Sequence, residues 1–381
     1  MIKIKITYLL TIFISVTVLL IGHKIAVKDM IKFQNYSQEI VKAKVLNIIE
    51  REERDEKTDD QEESNFIIGD RIIFEAVITD GIKKGENVIA IQSMNSFIQN
   101  SQKEVYKNAS ILLIFSNNEW YFNGYNRINA LLALGGIFVF CLILFGGRKG
   151  INTIISLSLT CCAIFAFLIP SILSEKNIYV MSIITCIYVI AMMILLVIGF
   201  NKKAVAAMTG CAAGVIISGL IVVIMDKALF LTGIIDEHSR YLINLPGDIK
   251  INLKAIIFSG ILIGAMGAIM DVAVSIASSL WEIKEKAKTI TFNELFRSGV
   301  TIGRDIMGSM ADTLILAYIG TSLTVVLILT VFSNSLLGLF NSEMIAVEIL
   351  QAMAGSIGIL FSMPLTAFFC SVIYLKEKNK E

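Results

Sequence analysis

Charge, histidine and proline are all scarce in this sequence of 381 residues. Only 17% of the residues are charged, with two histidines and three prolines, and the formal net charge is +1. A nearly balanced charge lacks the basic footprint of a nucleic-acid-binding protein, so no nucleic-acid partner is predicted. All six cysteines lie in apolar stretches, which excludes a disulfide framework in the polar region 23–126. No cluster has the spacing of metal ligands, so we predict neither a metal site nor a cofactor.

The motifs of common hydrolases and nucleotide-binding enzymes are missing as well. The chain contains no HExxH, no GxSxG and no Walker sequence. Two aspartates in apolar segments would suit an intramembrane aspartyl protease, but the tripeptide contexts expected around such residues are absent. We therefore predict that the protein is not an enzyme.

Hydrophobic residues dominate instead, at 55% of the chain with a mean hydropathy of +0.74. This composition is typical of an α-helical integral membrane protein with the lipid bilayer as its main partner. Residues 6–22 form an apolar run after two lysines. This pattern predicts that domain 1–22 is an uncleaved signal anchor, and the alternative is a cleaved signal peptide. The apolar runs of domain 127–381 predict seven more membrane spans, which makes eight with the anchor. The seven lie at about 128–146, 151–173, 177–199, 203–225, 254–281, 305–332 and 345–374.

Basic residues recur at every second connection between these spans. They occur at 148–149, at 202–203, between 284 and 297, and in the tail after residue 375, on the same side as Lys3 and Lys5. Cytoplasmic loops carry such an excess of lysine and arginine. We therefore predict a plasma-membrane protein with both termini in the cytoplasm and with residues 23–126 and 226–250 outside.

Residues 23–126 predict a small extracytoplasmic β-domain between the first two helices. Short runs rich in isoleucine and valine at 39–49, 70–79, 86–94 and 109–116 are bounded by turn residues. The highly charged stretch 50–64 predicts a solvated loop. The strand count fits either an OB-like or an SH3-like barrel. Such a domain would be suited to binding a protein partner.

Three of the predicted spans carry a line of small and polar residues along one helical face, since spacings of three and four return to the same side. The Asp271 seam consists of Gly260, Gly264, Gly267, Asp271, Ser275, Ser278 and Glu282. The Asp312 seam consists of Thr301, Asp305, Gly308 and Asp312. The Glu348 seam consists of Glu348, Gln351, Gly355, Gly358, Ser362 and Thr366. Small residues let helices approach closely, so we expect Gly264 and Gly267 to contact a neighbouring helix backbone.

Asp271 and Asp312 are the candidate ion-binding residues. Counting along the helices places them about 15 Å and 10 Å above the cytoplasmic end, on antiparallel neighbours. Two close carboxylates in a medium of low dielectric share a proton or a cation such as Na⁺. In the structural alternative, they accept hydrogen bonds from Ser275, Ser278, Ser309 or Thr313 and only set the helix register. At the cytoplasmic end, Glu282, Arg304 and Asp305 predict an ion pair.

Long segments of this chain resemble the YibE/F-like family of bacterial membrane proteins. They are GRKGINTIISLSLT (147–160), FNKKAVAAMTGCAAGV (200–215), IGAMGAIMDVAVSIASSLWEI, TIGRDIMGSMADTLILAYIGTSL and EILQAMAGSIGILFSMPLTA. The β-domain in front of the helices also fits that family. The resemblance implies a polytopic membrane protein and brings no established substrate. The family pattern has Asn at the position of Asp312, which implies a polar residue there rather than a proton-binding one.

These observations predict transport of a small solute or ion, coupled to a proton or Na⁺ through the intramembrane carboxylates. The alternative is a membrane accessory or sensor protein whose β-domain binds a partner and whose seams are purely structural. A water-lined cavity reaching Asp271 would favour transport, whereas a dry seam closed by glycines would favour the alternative. Substrate, direction and oligomeric state do not follow from the sequence.

Overall fold

The computed structural model describes residues 2–28, 39–52, 68–95, 103–244, 251–287, 289–332 and 335–375. The chain is mostly helical and forms two compact units. One unit comprises residues 33–141 and contains a small β-barrel, and the other comprises residues 1–32 and 142–381.

The barrel has five strands and closes on itself in the order β1-β2-β3-β5-β4. The strands are β1 (Ile40–Glu52), β2 (Ile68–Ile78), β3 (Asn87–Asn95), β4 (Ser110–Ser116) and β5 (Glu119–Tyr125). β3 and β5 pair in parallel, and the other described pairs are antiparallel. Closure leaves no long exposed edge, and the interior is filled by buried side chains such as Val45, Phe74, Ile111, Leu113 and Trp120. The predicted small barrel is confirmed.

Two details of this unit differ from the prediction. The fifth strand was not predicted; it follows β4 after a tight turn at Asn117 and Asn118, both with positive φ. β5 has seven residues, as β4 does, and contains the aromatic run Trp120-Tyr121-Phe122, a strand signal that the sequence prediction did not use. In addition, β1 continues to Glu52, so the first residues of the predicted loop 50–64 are strand. Residues 53–67 lie outside the described part of the chain.

Seven helices in the described ranges are long and apolar enough to cross a membrane. The helices are α1 (Ile2–Val27), α2 (Ile128–Ala163), α3 (Ile169–Leu173), α4 (Ile178–Ile198), α5 (Lys202–Ala228), α6 (Glu237–Ile243), α7 (Leu253–Lys286), α8 (Phe292–Phe332), α9 (Leu336–Asn341) and α10 (Glu343–Leu375), with a π-helical segment (Ile164–Leu168) between α2 and α3.

One of the seven candidates contains two of the spans predicted from the sequence. It runs for 46 residues from Ile128 to Leu173. Gly147 interrupts it with non-helical backbone (φ 52°, ψ −126°), and a Cβ on Gly150 would overlap the carbonyl oxygen of Leu142. The chain therefore bends sharply between two helical segments, and the count of eight spans stays a prediction.

Helices α5 and α10 cross at close range. Gly214 faces Ser362 and Gly358 faces Ser218, so that a Cβ on either glycine would lie 2.8–3.0 Å from the Cβ of the opposing serine. One turn further on, a Cβ on Gly210 would overlap the Thr366 hydroxyl. Each level thus pairs a glycine with a hydroxyl-bearing residue of the other helix. This geometry permits close backbone approach and weak Cα–H···O contacts.

The first helix packs beside the π-helical segment. Its end is held by three contacts: the His23 Nδ1–H donates to the Ala166 carbonyl at 2.7 Å, the Ser174 hydroxyl donates to the Ala26 carbonyl at 2.5 Å, and Lys176 donates to the Ile25 carbonyl. Nearer its middle, the Tyr188 hydroxyl donates to the Ser15 carbonyl at 3.2 Å. These contacts make α1 a packed member of the helical unit.

The connection after α5 is tied to the start of α10 by Glu343. The backbone N–H groups of Thr232 and Gly233 donate to its Oε1 at 2.7 and 2.6 Å, and the Thr232 hydroxyl donates to its Oε2 at 2.8 Å. Lys254 at the start of α7 pairs with Asp226 at the end of α5 at 3.5 Å. The two contacts hold the end of α5 and the connection after it next to the starts of α7 and α10.

We expect Glu343→Ala to lower the free energy of unfolding in detergent by about 2 kcal/mol, because it removes three hydrogen bonds to a charged acceptor. Glu343→Gln keeps one acceptor oxygen and should lose less. Thermal unfolding would measure both changes. Glu237→Ala in α6 is the control, since its carboxylate makes no hydrogen bond within the described residues. Equal melting of Glu343→Ala and the control would contradict a stabilising role.

Candidate functional site

The Asp271 seam lies on the open side of α7. Asp271, Glu282 and the three glycines of the seam are exposed, and Ser275 and Ser278 are half-buried. The opposite side of the helix carries buried aliphatic residues, among them Ile269, Val272, Ile276 and Leu280. The helix therefore packs through its aliphatic face, against α5 and α10, and presents its small and polar face outward.

The Asp312 seam on α8 is exposed as well, along all four of its residues. The helix packs on its other side through Leu314, which contacts the position of Gly355 in α10. Because each residue advances an α-helix by about 100°, Asp312 lies about 200° around α8 from Leu314. The seam thus faces away from the packed core of the bundle.

The hydroxyls beside Asp312 are engaged with the backbone of their own helix. Ser309 donates to the Ile306 carbonyl at 2.9 Å and Thr313 donates to the Ser309 carbonyl at 2.7 Å. Neither forms the hydrogen bond to Asp312 that the structural alternative requires. These two hydroxyls therefore do not fix the helix register through a hydrogen bond to Asp312.

The register between α7 and α8 follows from two close contacts. Gly299 packs against Leu280, and Gly303 packs against Ile276. This antiparallel register sets Asp312 about one turn, roughly 6 Å, from the level of Asp271. It also sets Arg304 about two turns from Glu282, and the described residues contain no ion pair between them. The expected cytoplasmic ion pair of Glu282, Arg304 and Asp305 is therefore not found among the described residues, because the register separates Glu282 from Arg304.

The glycines expected to pack helices differ in their surroundings, and three cases occur. Gly355 and Gly358 are buried in close contacts with Leu314, Ala265 and Ser218. A Cβ on Gly260, Gly267 or Gly308 would meet no heavy atom within 4 Å. At Gly264 the neighbour is the hydroxyl of Tyr318, a side chain rather than a helix backbone. The expectation that Gly264 and Gly267 contact a neighbouring backbone is corrected, because the backbones of α5 and α10 pack on the opposite face of α7.

The start of the Glu348 seam borders a cavity of about 340 Å³ between α8, α9 and α10. Glu348, Tyr318 and Ser322 are among the residues that line it, but the surface that faces the cavity is almost entirely apolar. Gln351, one turn after Glu348, lies beside Tyr318. Tyr318 and Ser322 were missed at the sequence level, since one tyrosine and one serine in an apolar span carry no pattern.

Comparison with known protein families finds a match over the region from α2 to α10. The model of the YibE/F-like protein family matches residues 134–376, which contain all five of the segments quoted above. The match leaves out α1 and the five strands of the barrel. No curated protein and no solved structure matches the chain. Because the family model covers more than half of the sequence and the helices are long and apolar, this chain is a multi-pass membrane protein of the YibE/F-like family.

Proposed function

We propose that the protein transports a small solute or ion across the membrane, coupled to a cation at Asp271 with Asp312 in support. The supporting observation is the position of Asp271, Ser275 and Ser278 on the uncovered side of α7. Ionisable residues within membrane segments face a bundle interior or a water-filled path. A carboxylate on this face therefore needs water, a cation or a partner molecule beside it, and a solute path supplies the first two.

The coupling ion is a proton or Na⁺. A carboxylate in such a segment is neutral when protonated and is compensated when it holds a cation, so either ion removes the cost of an isolated charge. Serine hydroxyls one and two turns from Asp271 add oxygen donors for the same ion or for the solute. Asp312, about one turn away along the helix axis, offers a second carboxylate.

The alternative is an accessory or sensor protein whose uncovered seam receives a helix of a partner. Gly260 and Gly267 favour this alternative, because glycines with no neighbour are the residues on which membrane helices pack. In that case Asp271 would be covered by protein rather than water.

Reconstitution into liposomes distinguishes the two functions. Purified protein would be tested against a panel of ions and small solutes, with a proton or sodium gradient imposed in either direction. Gradient-dependent flux that protein-free liposomes lack supports transport. Flux equal to that of empty liposomes for the whole panel, under both gradients, would contradict it and favour the accessory function.

We also propose that the barrel lies outside the plasma membrane and that the end of α7 is cytoplasmic, because of the alternating basic residues. In a background without the six native cysteines, Ile82→Cys at the exposed tip of the barrel should react with an impermeant thiol reagent added to intact cells. Glu285→Cys, at the exposed end of α7, should react only after permeabilisation. Labelling of both positions in intact cells would contradict this topology.

A further inference from the structure

An apolar groove of about 320 Å³ lies between the second half of α1, the π-helical segment and the first half of α4. Ile21 and Ile25 of α1 and Ile184 of α4 line it and remain 55%, 54% and 43% exposed, so the groove opens toward the outside of the bundle. Both helices are long and apolar enough to cross a membrane, so this outside is the hydrocarbon of the bilayer.

The wall of the groove suits a hydrocarbon chain. Its surface is almost entirely apolar, and its two hydroxyl groups, of Thr185 and Tyr188, each donate to a backbone carbonyl, at 2.8 and 3.2 Å. From Val18 to Ile25 the groove is about 10 Å long. An α-helix with its side chains is about 10–12 Å across, which this volume does not admit over that length, whereas a single acyl chain fits.

Basic side chains gather at the end of the groove near Ile25. Lys176 donates to the Ile25 carbonyl, which places its ammonium group at that end, and an ammonium group has three N–H donors, so it can bind a further acceptor as well. Lys28 follows Ile21 and Ile25 at spacings of four and three residues, so it lies on their side of α1, about 5 Å beyond Ile25. Lys24, one turn before Lys28, is exposed, and neither of the two forms an ion pair within the described residues.

The charge at this end is positive overall. The last turn of α1 with Lys28 and the turn before α4 carry three lysines and one acidic residue, Glu175. His23 is engaged in packing, since its Nδ1–H donates to the Ala166 carbonyl at 2.7 Å. Under the topology proposed above this end is extracytoplasmic, where the positive-inside pattern gives no reason for lysines. An anionic ligand gives one.

We propose that this groove binds an anionic phospholipid of the bilayer, with one acyl chain between α1 and α4 and the phosphate beside Lys176 and Lys28. The apolar wall receives the chain, and the lysines compensate the net charge of the headgroup. The bound lipid fills the space between the two helices and ties the end of α1 to the bundle. The proposal does not depend on transport, since no residue of the Asp271 seam takes part in it.

The test is the affinity of delipidated full-length protein in detergent for phosphatidylglycerol and for phosphatidylcholine, measured by native mass spectrometry. The wild type should bind phosphatidylglycerol about tenfold more tightly or better, because each lysine near an anionic lipid surface adds about fivefold. Lys24→Gln and Lys28→Gln together should remove most of this preference and leave phosphatidylcholine binding unchanged. Lys227→Gln, at the exposed end of α5, is the control and should keep the preference. Equal affinity of the wild type for the two lipids would overturn the site.

A tryptophan on α4 tests whether the acyl chain lies in this groove. Ile184→Trp adds a larger apolar side chain to the wall and should weaken phosphatidylglycerol binding by about tenfold, equivalent to about 1.4 kcal/mol. Ile187→Trp is the matched control, because it makes the same substitution one turn further along α4, at a residue that lines a separate groove against α5 and α7. Its affinity should be unchanged, and equal affinities in the two tryptophan variants would overturn the proposal. This pair and the comparison of the two lipids on the wild type decide the question should the double lysine variant fail to fold.

Discussion

Replacing Asp271 with asparagine is expected to abolish gradient-driven accumulation while the protein still folds. Asparagine has nearly the same shape, and Asp271 lies on the open face of α7, so little packing is lost. The amide neither releases a proton nor neutralises a bound cation. One charge crossing the membrane field is worth about 2.3 kcal/mol per 100 mV, which corresponds to about fifty-fold accumulation of a coupled solute. That accumulation should fall to the level of empty liposomes.

The measurement is solute uptake into liposomes under an imposed proton or sodium gradient. Glu285→Gln is the matched control, because it makes the same change of charge at the exposed end of the same helix, outside the seam. Its uptake should remain at the wild-type level. If Asp271→Asn retained both full flux and the full response to the gradient, the carboxylate would be structural and the transport mechanism would lose its central residue.

Replacing Gly214 with alanine is expected to destabilise the bundle strongly. The added Cβ would lie 2.8 Å from the Ser362 Cβ and 3.0 Å from the Gly358 carbonyl oxygen, so α5 and α10 would have to separate. Overpacking of this kind costs about 1–3 kcal/mol. Alanine alone would favour the helix by up to about 1 kcal/mol, so a net loss means that the contact outweighs helix propensity.

Gly267→Ala is the matched control for Gly214→Ala. It makes the same substitution in a long apolar helix, but the new methyl group meets nothing within 4 Å. We expect unchanged or slightly raised stability. The gain in helix propensity is common to both variants, so they should differ by the overpacking cost of about 1–3 kcal/mol in unfolding free energy. Unfolding by SDS in mixed micelles, followed by tryptophan fluorescence, would measure the difference. A Gly267→Ala variant as unstable as Gly214→Ala would indicate that the Asp271 seam is packed against protein.

Much of the fold follows from local patterns. Alternating apolar residues predict four of the five barrel strands, and long apolar runs predict the spans. β5 was missed although the sequence carries a signal for it, since two turn residues separate β4 from the aromatic run Trp120-Tyr121-Phe122. The break at Gly147 lies in the predicted connection, because the basic pair Arg148 and Lys149 separates the apolar runs 128–146 and 151–173.

The sequence by itself determined which residues share a helical face, because the 3.6-residue period depends only on the chain's own geometry. It therefore placed Asp271 in line with Gly264 and Ser275, and Gly358 in line with Ser362. Only the tertiary structure decided which way each face points. The Glu348 seam is largely buried against Gly210, Gly214 and Ser218, whereas the Asp271 seam is left open. The reason is that α7 gains more by burying its Ile, Leu and Ala face against α5 and α10. That choice depends on contacts between distant parts of the chain, such as those of Ile269 with Gly214 and Gly358.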